Sequence, residues 1–261
     1  MDDTFRETLK HELLCEHNCK DQSKDIVIIV RDQLHYIQSC VDSIYENTQN
    51  FKLYIWDNAS DDATREYLQE ISARDEVYLD RSEDNLGFVL PNNYLAKKCQ
   101  SPYIILLNSD TEVYEGWDRA LIGCLQNHPE IKETGYQGGL LNETGLGVGI
   151  GFGIDIDYIA GWCACFSLDT YQRYGLFDEE RFKFAYFEDA DFSLRLKEAG
   201  HDVYALNLNY VLHHGGATSL QVRGEMDMDT PFRANHATFG KRWSEYLRDK
   251  RTLQKPELTP T

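Results

Sequence analysis

Two acidic segments hold the residue types best suited to chemistry. Phe187-Glu188-Asp189-Ala190-Asp191-Phe192 sets three carboxylates in a Phe-flanked stretch that continues through Ser193-Leu194-Arg195-Leu196 in a helical pattern. About eighty residues earlier, Asn108-Ser109-Asp110 follows the apolar run Tyr103-Ile104-Ile105-Leu106-Leu107. A carboxylate at the end of a buried strand is costly without a partner. A divalent cation is a natural one, since Mg²⁺ typically takes one or two carboxylates and completes its shell with water and substrate phosphates. The competing reading of Asp110 is a turn starter or cap. In the later segment, Tyr186, Phe187 and Phe192 flank Asp189; partial desolvation raises its pKa and suits it to take a proton from a hydroxyl. Asp191 is the alternative base, but it also pairs with Arg195 at i,i+4, and acids in general favour a helix N-terminus. One site that holds a metal and one that removes a proton imply group transfer from a phosphate-activated substrate.

The elements that must position these residues follow from hydrophobic periodicity. Asp25-Ile26-Val27-Ile28-Ile29-Val30 is a continuous β-branched run, the mark of a strand buried on both faces. Helical spacing over Tyr36–Tyr45, a strand at Leu53–Trp56, a helix through Tyr67–Ile71, a strand at Val77–Leu79, a helix after Asn85-Leu86-Gly87-Phe88 and the strand Tyr103–Leu107 follow in turn. This alternation predicts an α/β fold with a parallel, doubly wound sheet. Pro91 falls in the first turn of its helix, where proline is tolerated. Ligands of such sheets bind at the carboxyl ends of strands. Arg31-Asp32, Asp57-Asn58 and Asn108-Ser109-Asp110 all fall there. Asp57 and Asn58 offer an acceptor and an amide suited to a base edge such as uracil or thymine, while Asp61 or Asp62 caps the next helix.

The second half reads differently. Gly145, Gly147, Gly149, Gly151 and Gly153 alternate with other residues, which implies a loop or bulged strand near the site rather than a dinucleotide fingerprint. Gly161–Phe166 reads as a strand with Cys163 and Cys165 on one face and Ala164 on the other. A helix to Gly200 and a strand at Val203–Leu206 follow. His213-His214-Gly215-Gly216 ends a short strand, where adjacent histidines face opposite ways, so one of the two is a candidate metal ligand.

Composition excludes several classes. A net charge of −18 opposes broad binding to nucleic acid or anionic lipid. No run of eighteen apolar residues occurs, and Met1-Asp2-Asp3-Thr4 lacks the features of a secretory signal. Seven cysteines without framework spacing suit reduced thiols and a cytoplasmic location. His11, Cys15, His17 and Cys19 are too cramped on one helix to close a tetrahedral zinc site. Lys241, Arg242, Arg248, Lys250, Arg251 and Lys255 make the tail locally basic, read as a solvated helix end or as a contact with a membrane surface or anionic substrate.

Seven motifs in order carry a family resemblance over about Asp25–Ser219: the Ile26–Val30 strand, WDNASDDAT (Trp56–Thr64), NLGF with Asn92-Asn93, LLNSD (Leu106–Asp110), GWCACF, YFEDADFSLRLKEAG and HHGGATS. Together they resemble the family 2 glycosyltransferases of the GT-A fold, most of all the rhamnosyltransferase-like and galactofuranosyltransferase-like members. The resemblance implies a Rossmann-like, mostly parallel central sheet flanked by helices, with a smaller acceptor-side subdomain. It also implies a nucleotide-sugar-binding half (25–110) and an acceptor-binding and catalytic half (111–220). The residue pattern, with Leu9, Leu13 and Leu14 on one side, adds an N-terminal helical extension (1–24), and a C-terminal helical tail (221–261) completes the division. The implied activity is inverting transfer from a nucleotide-diphosphate sugar, dTDP-rhamnose first and a UDP-sugar second, to a hydroxyl of a glycan or lipid-linked glycan. Asp57 would meet the base, with Arg31, Asn58, Asn85, Gly87, Asn93, Asn108 and Ser109 completing the donor site. Asp110 with His213 or His214 would hold Mn²⁺ or Mg²⁺ on the diphosphate, Trp162 and Glu188 would shape the sugar and acceptor pocket, and Asp189 would be the base. Asn108 replaces the first acid of the usual metal triplet, and Arg31-Asp32 replaces the common Tyr-Asn. A nucleotidyltransferase would carry a glycine-rich basic loop after the first strand, where this chain has RDQLHYI. A non-catalytic carbohydrate-binding relative would need neither Asp110 nor Asp189.

Overall fold

The computed structural model describes residues 22–215 and 227–254, with side chains to 250. The expected N-terminal helix and the His11, Cys15, His17 and Cys19 set lie outside the described residues.

The β-branched runs form the sheet. In chain order come β1 (Lys24–Val30), α1 (Leu34–Asn47), β2 (Phe51–Asn58), α2 (Asp62–Ile71), β3 (Val77–Ser82), α3 (Val89–Ala96) and β4 (Tyr103–Leu107). Then follow β5 (Thr111–Val113), α4 (Trp117–Asn127), β6 (Ile131–Gly135), β7 (Gly138–Leu141), β8 (Gly147–Gly151), β9 (Tyr158–Ile159) and β10 (Cys163–Ser167). The chain continues through α5 (Leu168–Tyr174), α6 (Glu188–Glu198), β11 (Asp202–Ala205), β12 (Val211–His213) and α7 (Asp229–Gln254).

Seven strands make the central sheet in the order β11-β6-β10-β4-β1-β2-β3, all pairings parallel except those of β10, which runs against both its neighbours. The sheet crosses the expected division at residue 110. Lys24 belongs to it rather than to the extension: its ammonium is buried against Asp118 at 2.5 Å.

Both sheet faces are covered. Ile26, Ile28, Val30, Ile55, Cys163 and Cys165 point to the side of α1, α2 and α4. Val27, Trp56, Leu106, Ala164 and Phe166 point to α3 and α6. The alternation in Cys163-Ala164-Cys165 is thus as the sequence implies. Cys40, Cys99, Cys124, Cys163 and Cys165 are free and buried. Asp61 caps α2 through Thr64 N at 2.8 Å.

Two small sheets sit at the carboxyl edge. β5 pairs antiparallel with β12, which sets His213 opposite Thr111. β7 pairs with β8 and β9, with a register shift between Leu140 and Leu141. Gly147, Gly149 and Gly151 therefore lie in a strand, and the bulge falls on that strand at Val148, where one step along β7 spans two residues of β8. Leu146, Val148, Ile150 and Phe152, which lie between the alternating glycines from Gly145 to Gly153, and Ile154, which follows the last, are exposed.

Helix α7 is docked rather than solvated. Phe239, Trp243 and Leu247 are buried with Ala190 and Leu194 of α6. Arg242 lies 3.3 Å from Asp191, and Lys250 lies 2.9 Å from Asp157. Two of the tail's cations are thus turned onto the acidic body.

Candidate active site

A cavity of about 480 Å³ opens at the carboxyl ends of β1, β2 and β4. Arg31, Asn58, Asn85, Gly87, Asn108, Ser109, Asp110, Trp162, Glu188 and Asp189 all line it. Residues separated by up to 158 positions therefore meet at one place, as strand ends in a doubly wound sheet require.

Asp110 leaves β4 and is 4 % exposed. Its backbone carbonyl accepts from His214 N at 2.9 Å, which ties β12 beside it. His213 Nε2 consequently lies 3.2 Å from Asp110 Oδ1. The His213 ring stacks on Trp162 at 4.7 Å. Buried His213 Nε2 and Trp162 Nε1 lack a hydrogen-bond partner. His214 turns the other way, to Glu112 Oε1 at 2.8 Å and the Tyr36 ring. Strand alternation makes His213, not His214, the neighbour of Asp110. An acid and an imidazole side by side suit a hard or borderline cation that takes its remaining ligands from phosphate and water. Among the described residues no group of three or more His, Cys, Asp and Glu side chains converges for metal binding.

Glu188 and Asp189 open α6 and line the same cavity. Asp189 Oδ2 accepts from Gly161 N at 3.1 Å, and Oδ1 accepts from Ala190 N at 2.8 Å. Burial raises the pKa of Asp189, and these N–H donors oppose the rise. Burial, reinforced by the charge of Asp189, holds Glu188 well above the ordinary carboxylate range. Its Oε2 is buried without a partner. Glu188 is thus held toward its neutral form more strongly than Asp189, whose carboxylate has the Gly161 and Ala190 donors. Asp191 faces away from the cavity: it is buried between Arg195 at 2.8 Å and the Trp243 indole at 2.9 Å. Its role is to anchor α7 on α6.

Two of the expected donor residues, Asp57 and Asn93, lie off the cavity. Asp57 is 1 % exposed and does not line the cavity. Its carboxylate is bound by Arg81, the residue opposite it on β3, and by Ser60 N at 2.8 Å. A buried carboxylate needs such a cation. Asn93 is also off the cavity, bonded to both backbone groups of Phe177 and to Glu179. Asn58 and Asn85 border the cavity, but they bond each other and the Leu86-Gly87 backbone, so their amides shape the loop. Arg31 reaches the carbonyls of Asn58 and Ala59 at 3.2 Å, bridging the ends of β1 and β2.

Sequence reasoning missed part of the wall. Tyr158, Leu146, Phe184, Met228 and Phe232 also line the cavity. Phe184, Tyr186 and Phe187 have positive φ angles of 68°, 81° and 72°. Such angles cost of the order of 1–3 kcal/mol each for bulky residues and persist where surroundings enforce them. The aromatic density of this stretch was visible in the sequence; its backbone conformation had no local signal such as glycine.

Comparisons with known proteins bear on this arrangement. The model of the family described as Glycosyl transferase family 2 matches residues 25–132. No curated protein matches the chain by sequence. Among solved structures, the chain is similar to GalNAc-T7 with UDP, GalNAc and Mn²⁺, at TM-score 0.65 and 16 % identity over 73 % of this chain. It spans only 43 % of that protein's chain. It is also similar to the mannosyltransferase PcManGT from Pyrobaculum calidifontis in complex with GDP-Man and Mn²⁺, at TM-score 0.57 and 10 % identity over 97 % of this chain and 83 % of that one. S. aureus TarS 1–349 matches at TM-score 0.57 and 13 % identity, over 90 % and 76 %. At these identities the likeness is one of fold.

Proposed function

We propose that this chain, which matches the glycosyl transferase family 2 model over residues 25–132 and has the GT-A fold, transfers a sugar, with inversion, from a nucleotide-diphosphate donor to a hydroxyl of a growing glycan. The observation that carries this reading is the meeting of Asp110, with His213 beside it, and Asp189 in the lining of one cavity. Asp110 and His213 would hold Mn²⁺ or Mg²⁺, consistent with the Mn²⁺ in two of the similar structures. When bound, the ion offsets charge on the leaving diphosphate.

The chain's own residues supply the rest. Asp189, ionised and fixed by two backbone donors, takes the acceptor's hydroxyl proton while that oxygen bonds to the anomeric carbon. The carbon–oxygen bond to phosphate breaks on the opposite face, and its electron pair leaves with the diphosphate. Glu188, neutral, is a hydrogen-bond donor to a sugar oxygen. Trp162 presents an aromatic surface suited to the apolar face of a sugar ring. dTDP-rhamnose is the first donor candidate, on motif spelling, and a UDP-sugar the second.

The exposed Leu146-to-Ile154 run begins at the cavity wall, where Leu146 and Gly147 are lining residues. A contiguous apolar surface marks a binding site. It supports a lipid-linked acceptor whose chain lies along β8. No described helix is long and apolar enough to cross a membrane.

Donor hydrolysis and binding across a panel of nucleotide sugars, with Mn²⁺ and with EDTA, tests this reading. Metal-dependent turnover of one donor is expected. Failure to bind any nucleotide sugar would overturn it.

A further inference from the structure

The turn that delivers Glu188 and Asp189 into the cavity is gripped from two sides. On the sheet side, Phe88 N and Val89 N donate to Phe184 O at 2.6 and 3.1 Å. That approach requires Gly87, where a Cβ would stand 2.5 Å from Phe184 O. On the other side the grip comes from α7, far outside the family match over residues 25–132. Asn235, 2 % exposed, extends its amide into the turn. Its Nδ2 donates toward Lys183 O at 2.8 Å, Ala185 O at 2.8 Å and Tyr186 O at 3.2 Å, and its Oδ1 accepts from Lys183 N at 3.2 Å. One primary amide thus meets four backbone groups of a segment in which three aromatic residues have positive φ.

Neighbouring contacts make the same connection. Phe232 packs on Tyr186 and Phe187 at ring distances of 5.3 and 5.2 Å. Phe187 is the residue before α6 and has no side-chain cap to hold it. Within residues 183–187 one local bond, Ala185 N to Lys183 O at 2.9 Å, is joined by the long-range contacts of Phe88, Val89 and Asn235, the first two admitted by Gly87.

We propose that Asn235 is a positioning residue: it locks the 183–187 turn and thereby sets the aim of Asp189 and Glu188, so that turnover depends on the docked C-terminal helix. The proposal rests on Asp189 acting as the base. A catalytic group misplaced by about 1 Å loses of the order of a hundredfold in rate.

The test compares wild type with Asn235→Ala, which removes the clamp, and Asn235→Ser, a milder variant that keeps a donor. Steady-state kinetics and hydrogen exchange at residues 183–190 are both read. The expected result is a kcat about 10–100-fold lower in Asn235→Ala, with donor KM within about twofold, faster exchange at 183–190, and intermediate values for Asn235→Ser. A folded Asn235→Ala variant with kcat within twofold of wild type, or a loss confined to donor KM, would overturn the proposal. If Asp189→Asn keeps full activity, the base assignment fails instead; the exchange data then still report whether Asn235 holds the turn.

Discussion

His213 Nε2 stands 3.2 Å from Asp110 Oδ1, across the two-stranded pairing of β5 and β12. The imidazole is held flat by Trp162, so two metal-type donors are brought together by strand register and an aromatic stack. Mn²⁺ binding in the presence of UDP or dTDP should weaken at least tenfold in Asp110→Asn and His213→Ala. His214→Ala should leave it unchanged, since His214 is spent on Glu112. Calorimetry checks this; unaltered Mn²⁺ affinity in Asp110→Asn would contradict the assignment.

Glu188 and Asp189 are adjacent acids with different expected protonation. The base must be ionised to work, and burial raises its pKa above the ordinary 3.8. Activity should therefore fall as pH drops through a value above that figure, placing the acid limb of the kcat/KM profile higher than for an exposed aspartate. Glu188→Gln preserves a neutral side chain and should cost less than about tenfold. Asp189→Asn should cost about 10²–10⁴-fold, the usual worth of a general base. Equal losses in the two variants would sink the division of roles.

Glu133 lies beneath the site, 2 % exposed, with Ser193 Oγ at 2.5 Å as its donor. Burial pushes its pKa from 4.5 to about 8. Between these values the folded protein keeps a proton that the unfolded chain has released. Stability should accordingly fall as pH rises from 4.5 to about 8 and level off above. The slope from this group is at most about 1.4 kcal/mol per pH unit. Glu133→Gln should flatten it in urea melts across that range, and an unchanged slope would exclude Glu133 as its source.

The apolar run along β8 predicts an acceptor preference. Val148 and Ile150 are 59 % and 62 % exposed, so replacing both with Ser leaves the core intact. KM should rise about tenfold for an acceptor on a long alkyl chain and stay unchanged for the same glycan without it. Equal KM shifts on both acceptors would remove the run from the acceptor site.

The sheet was legible because its central strands β1 and β4 carry continuous, largely buried apolar runs, and the strand ends then located Asn108-Ser109-Asp110. Asp189 was legible from its aromatic flanks. Asp57 was not: its fate depends on Arg81, twenty-four positions later, arriving opposite it in parallel register. Asn93 likewise meets Phe177 only through tertiary packing. Asn235 carries no signal, since its partners lie about fifty residues away in a turn held by long-range hydrogen bonds and containing no glycine of its own.

The central claim is that Asp110 and Asp189 serve one inverting sugar transfer. The most direct measurement follows the anomeric configuration of donor and product by NMR, with Mn²⁺ and the preferred nucleotide sugar, in wild type and Asp189→Asn. The account predicts inverted product from wild type, none with EDTA, and a folded Asp189→Asn that binds donor but turns over about 10²–10⁴-fold more slowly. Retained configuration, or full turnover by Asp189→Asn, would contradict it.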